Sequence, residues 1–193
     1  MKHAIVPRPE GRAWAPARRA LALAAAVLLL AYASGCDTLE EPGSLTLPEI
    51  TKTVRFEIDG SQLQPGQTIE VVSTNPIDLT ADLQQNVSSV DEVVSARVTS
   101  ATLQRVSPQL DLRNFASAVV VLRGGSQTAQ VASAGTFPSA AEASLSTQPL
   151  EVASFVRRPT FQGVLRLTPN EAPGSGTLVV TVTLRFQVSI EGV

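Results

Sequence analysis

Residues 178–190 read Leu-Val-Val-Thr-Val-Thr-Leu-Arg-Phe-Gln-Val-Ser-Ile, and this stretch decides the fold. Leu178, Val180, Val182, Leu184, Phe186, Val188 and Ile190 recur at every second position, with mainly Thr, Arg, Gln and Ser between them. Strict alternation is the pattern of a strand with one buried and one wet face. A slip of one residue would expose the whole apolar row, so the register of this strand is firmly specified. At about 3.3 Å per residue the segment extends some 40 Å, long enough to brace an entire sheet.

Working back towards the N-terminus, the same period recurs in shorter pieces. Val54, Phe56 and Ile58 alternate with Thr53, Arg55 and Glu57, and Asp59-Gly60 closes that strand. Thr68 to Ser73 gives a second, with Ile69 and Val71 on one side. Val93 to Ser107 reads as a long strand whose apolar parity switches between Val98 and Leu103, predicting a bulge near Ser100–Ala101 or a strand that leaves one sheet to join another. Ala118–Leu122 is an unbroken apolar run suited to a fully buried strand, with Gln127 to Ala132 as its hairpin partner across Gly124-Gly125. Leu150 to Val156 and Thr160 to Leu167 are two further strands, separated by Arg157-Arg158-Pro159.

Other segments break the pattern. Leu79, Leu83, Val87, Val90 and Val94 follow spacings of four, four, three and four, which predicts a short helix around residues 79–92. Leu112 and Phe115 are expected to plug one end of the core from a turn at Asp111–Phe115. Ser133 to Pro149, rich in Ala, Ser, Thr and Gly, reads as the longest loop. Seven to nine strands with frequent turn signals predict an all-β fold: one antiparallel β-sandwich of immunoglobulin-like architecture over residues 50–193. A closed barrel enclosing a lipid is the main alternative.

The first 35 residues are of another kind. Lys2, Arg8, Arg12, Arg18 and Arg19 oppose a single Glu10, and Ala20 to Ala33 is almost wholly apolar. A basic region, a short apolar run and small residues make up a secretory signal. The apolar run is short for a membrane-spanning helix, which needs roughly 20 residues. Ala33-Ser34-Gly35-Cys36 resembles the lipobox of bacterial lipoproteins, with Ala33 where Leu is commonest in that family. The resemblance covers only the leader. It implies that Cys36 receives a diacylglyceryl group and becomes the mature N-terminus, which places the chain in the cell envelope, lipid-anchored to the inner or outer membrane. A soluble secretory signal, or a twin-Arg signal at Arg18-Arg19, is the other reading of the leader. Asp37 to Pro48 is acidic and broken by Pro and Gly, as expected of a flexible tether over residues 36–49.

Composition then bounds the chemistry. His3, Trp14, Tyr32 and Met1 are the only residues of their types, and all four lie upstream of Cys36, the only cysteine. Nucleophilic catalysis through Ser-His-Asp or Cys-His sets is excluded in the mature chain, and zinc, haem and iron–sulfur sites lose their usual ligands. From Cys36 onward ten Lys and Arg face sixteen Asp and Glu, a net charge of −6, which argues against a nucleic-acid partner. The six phenylalanines, 56, 115, 137, 155, 161 and 186, are read as core. Asp78, Asp82, Asp91 and Glu92 cluster in sequence without the spacing of a calcium loop and are read as solvated. Arg157-Arg158 is read as a solvated turn.

The sequence therefore predicts neither an enzyme nor a cofactor. It points to a non-enzymatic structural or interaction module of the envelope, joined to the membrane by lipid on Cys36 and engaging a protein or glycan. A carrier holding a lipid or other small apolar ligand between its sheets is the alternative.

Overall fold

A computed structural model describes residues 43–172 and 175–192. The described chain forms nine strands, β1 (Ser44–Thr46), β2 (Ile50–Asp59), β3 (Ile69–Val72), β4 (Val93–Arg105), β5 (Phe115–Gly124), β6 (Gln127–Ala134), β7 (Glu142–Thr147), β8 (Gln162–Pro169) and β9 (Thr177–Glu191). Two single-turn helices accompany them, α1 (Thr80–Leu83) and α2 (Ala153–Val156).

Residues 178–190 lie in β9, in the interior of its layer. Val182 faces Val54 of β2 on one side and Leu103 of β4 on the other, while Phe186 faces Ile50 and Val98. The alternate residues from Leu178 to Val188 are all buried. Turning this row outward would forfeit about 1.5–3 kcal/mol for each large side chain, so the alternation fixes both neighbours at once.

All pairings are antiparallel, and they give two layers. The first runs β2-β9-β4-β7, with β1 beside β2 on the same edge of β9. The second runs β3-β8-β5-β6. β7 joins them, pairing with β4 through Glu142–Leu145 and with β6 through Ser146 and Thr147. The antiparallel sandwich expected from the sequence is thus formed, and this strand order is that of a jelly roll, an eight-stranded pair of Greek keys. One continuous cluster of buried side chains fills the space between the layers. A Cβ on Gly163 would lie 3.2 Å from Val54 Cγ1 and 3.3 Å from Phe56 Cζ, so the hydrogen side chain lets β8 approach β2 closely.

The parity switch in β4 is a bulge: register shifts between Val98 and Ser100, so Val98 and Ala101 both point inward. A second shift lies between Val93 and Ser95. Leu112 and Phe115 are buried, as expected of an end plug. Two buried serines carry pairing past strand ends. Ser107 Oγ accepts from the Val179 N–H at 2.8 Å, and Ser73 Oγ accepts from the Gly163 N–H at 3.2 Å.

Four expectations are corrected. The helix expected around 79–92 is shorter, only α1 and a separate 3-10 turn at Val90–Glu92; Leu79, Leu83 and Val87 are all buried, Leu83 from α1 and the other two from the chain on either side of it. The loop from Ser133 to Pro149 contains β7, whose inward residues Ala143 and Leu145 give a weak alternation. Leu150–Val156 is not a strand, because α2 turns Val152, Phe155 and Val156 together into the core. Part of the expected tether belongs to the domain: β1 pairs with Ser189–Glu191, and Leu47 is buried.

Candidate functional site

The described surface offers two places where side chains gather. The first is the seam where β2 and the end of β3 meet. There the Thr74 N–H donates to the Arg55 carbonyl at 2.9 Å, tying the edges of the two layers together. Beside it lies a recess of about 290 Å³ lined by Lys52–Arg55 and Asn75–Asp78. Lys52 Nζ sits 2.6 Å from Asp82 Oδ2, an ion pair from β2 to α1. The Asp78 carboxylate accepts from the Thr80 N–H at 2.7 Å, and that bond, with Thr80's side chain and Lys52's charge, holds its pKa below the ordinary value. Arg55 is paired with Glu57 at 3.2 Å. The cations here, Lys52 and Arg55, are both paired with carboxylates.

The second is the outer face of the second layer. Val72, Val164 and Val121 form one row across β3, β8 and β5. Glu70 binds Arg123 on one side and Arg166 Nε, at 3.0 Å, on the other. The pairing places Arg123 and Glu70 on opposite flanks of the valine row, so their bridge crosses it, and Val164 is fully buried although it points outward. The two guanidiniums draw Glu70's pKa down, Arg123 most strongly. The first layer's outer face is different: Thr53, Thr183, Thr102 and Ser144 fall in one row across four strands, with Thr53 and Thr183 hydroxyls 3.0 Å apart.

Cys36 lies outside the described residues. Asp78 and Asp82 serve α1 as above. Glu92 accepts from the Ser89 N–H at 2.9 Å while the Ser89 hydroxyl accepts from the Asp91 N–H, a capping arrangement of the 3-10 turn. Among the described residues no group of three His, Cys, Asp or Glu is arranged to hold a metal ion. All six phenylalanines are buried. Phe155, Phe161 and Phe186 form a chain of edge-on rings with centroids 6.1 and 6.2 Å apart.

The basic pair is more than a solvated turn. Arg157 Nε donates to the Val93 carbonyl at 2.9 Å, and the Arg158 side chain lies over Gly124 and Gly125, where any Cβ would meet it within 3.2 Å. Glu151 was not singled out, yet its carboxylate accepts from Ser95 Oγ and the Ala96 N–H at 2.7 Å and from the Ala153 N–H at 2.8 Å. Burial works against its charge, but these three donors and the nearby Arg97 outweigh it and lower the pKa. It fastens α2 to the first bulge of β4.

No family model matches the chain, and no curated protein matches it either. Among solved structures, the decameric BFDV capsid protein is similar at 12% identity, covering 77% of this chain and 99% of its own, with a TM-score of 0.36. Cocksfoot mottle virus is similar at 10% identity over 100% of this chain and 96% of its own, with a TM-score of 0.33. Desmodium yellow mottle tymovirus follows at 10% identity over 82% and 95%, with a TM-score of 0.25. Scores this low carry no argument, and the jelly-roll assignment rests on the strand order alone.

Proposed function

We propose that this chain is a membrane-anchored lipoprotein of the bacterial cell envelope whose jelly-roll domain acts as a non-enzymatic structural or interaction module. The observation that carries it is the position of Cys36, the only cysteine, directly after an apolar run and two small residues. An exported chain with one cysteine has no internal disulfide to make with it, and lipidation gives that thiol a use. Each buried acyl CH₂ contributes about 0.8 kcal/mol, and stable anchoring takes two chains, which a diacylglyceryl group provides.

An interaction role is supported by the two outer faces, one rich in hydroxyls and one carrying the Arg123–Glu70–Arg166 bridge across a valine row, which suit a protein or glycan partner. A small apolar cargo between the sheets has less support, because one continuous cluster of side chains occupies that space.

The test is a Cys36→Ser variant expressed with its leader. The wild type should incorporate acyl label and fractionate with membranes, and the variant should do neither. A wild type that takes no acyl label, together with unchanged fractionation of the variant, refutes the proposal. Crosslinking in the native envelope followed by mass spectrometry would identify the partner.

A further inference from the structure

If Cys36 carries the lipid, the domain has little room to move away from it. Gly43 is seven residues downstream of Cys36. An extended chain spans at most about 3.3–3.6 Å per residue, so the anchor lies within roughly 25 Å of Gly43. Gly43 is itself fixed: its carbonyl accepts from the Gly192 N–H, and Ser44 pairs with Glu191. The tether therefore enters at the end of the sandwich where β1 starts, β9 finishes and β4 begins, since Val93 also pairs with Ile190.

That same end carries exposed apolar side chains. Leu45 is 58% exposed, Val94 in the first bulge of β4 is 38% exposed and Leu150 is 42% exposed. They belong to one neighbourhood. Leu45 pairs with Ile190, which pairs with Val93, while Glu151 bonds Ser95 and Ala96 and so holds Leu150 next to the bulge. Asp91, Glu92, Glu151 and Glu191 lie at this end too, with Arg157. Those carboxylates oppose deep insertion and give no attraction to an anionic surface, so contact is shallow and made by the three apolar side chains.

We infer that this end of the jelly roll, through Leu45, Val94 and Leu150, rests on the lipid surface into which Cys36 is anchored, with the opposite end directed away. The inference rests on the anchoring proposed above. It fixes which faces a partner can reach: both sheet faces stand upright on the bilayer and stay open.

The test uses the full chain, lipidated in a bacterial host and reconstituted in vesicles of phosphatidylethanolamine and phosphatidylglycerol doped with headgroup spin-labelled lipid. A lipidated Cys36 has no free thiol, so Leu150→Cys and Val106→Cys each supply one site for a maleimide dye, at exposed positions that substitution should not unfold. Val106 bonds to Val179, eleven residues along β9 from Ile190 and so about 35 Å away. The dye at 150 should be blue-shifted and quenched by the spin label, as expected within about 10 Å of the headgroup boundary. The dye at 106 should be neither, and Val94→Cys should repeat the result at 150. Equal quenching at 150 and 106, or stronger quenching at 106, overturns the orientation while leaving the anchor intact. A wild-type chain that itself takes up maleimide overturns the anchor, and the orientation falls with it.

Discussion

Phe161 stands between two rings and two parts of the molecule, and its replacement by Leu gives a demanding test of the core. Its ring meets Phe155 of α2 edge-on at 6.1 Å and Phe186 of β9 at 6.2 Å, and its backbone bridges to Ile77. Leucine keeps the site apolar and leaves little void, so the main loss is the pair of ring contacts. Edge-to-face pairs contribute about 0.5–1.5 kcal/mol each beyond area burial, which puts Phe161→Leu at about 2 kcal/mol. For a domain of this size that is a fall in Tm of roughly 4–8 °C. Trp14 and Tyr32 both precede Cys36, so a leaderless chain has no useful intrinsic fluorescence, and urea unfolding should be followed by far-UV circular dichroism. In double-mutant cycles Phe161 should couple to both Phe155 and Phe186 by about 0.5–1.5 kcal/mol. Phe155 should couple to Phe186 less strongly than either couples to Phe161. A Phe161→Leu chain within about 0.5 kcal/mol of wild type, the range of an ordinary surface change, refutes the ring-chain account.

Glu151→Ala removes a charged acceptor from two backbone N–H groups and one hydroxyl, and should cost about 2 kcal/mol in the same urea assay, with Glu151→Gln costing less. Acid should destabilise the domain. Glu70, Asp78, Asp111 and Glu151 all have depressed pKa values in the folded state, Asp111 at about 2 through its pairing with Arg113. A depressed carboxyl stabilises the fold above its unfolded pKa and ceases to do so as pH falls through the folded one, so Tm should be level near neutrality and decline between about pH 5 and 2. Glu151→Gln should flatten part of that decline, and a Tm that rises on acidification would refute the assignment.

The legibility of the fold followed the size of the side chains. β9, β2 and β5 place Val, Leu, Ile and Phe at their inward positions, and all three are plain in the sequence. β7 does the same task with only Ala143 and Leu145, and β1 is three residues long with its one large apolar side chain, Leu45, exposed, so both pass for loop or tether. Leu79, Leu83 and Val87 overstated the length of the helix, since only Leu83 lies within α1 and the other two are buried from the chain flanking it. The clustered sites were hidden for a different reason. Glu70 meets Arg166 across 96 positions and Arg123 across 53, and Glu151 meets Ser95 across 56. Such pairs are set by which strands become neighbours, and no local pattern of residues encodes that. What the sequence could show was the chemistry missing after Cys36, because composition does not depend on pairing.

The place of β9 has a bearing on how the molecule is made. The last of the described strands lies between β2 and β4, with Ile50 facing Phe186. A polypeptide emerging N-terminus first cannot complete the first layer until β9 is free, and β9 must then find β2 across more than a hundred residues. Closing so large a loop before any reward is slow, on the order of milliseconds to seconds for such β topologies, and leaves β2 and β4 without their shared neighbour meanwhile. Completion of the first layer is thereby deferred until β9 has been made, and a chain threaded through a narrow pore would stay extended until β9 had passed.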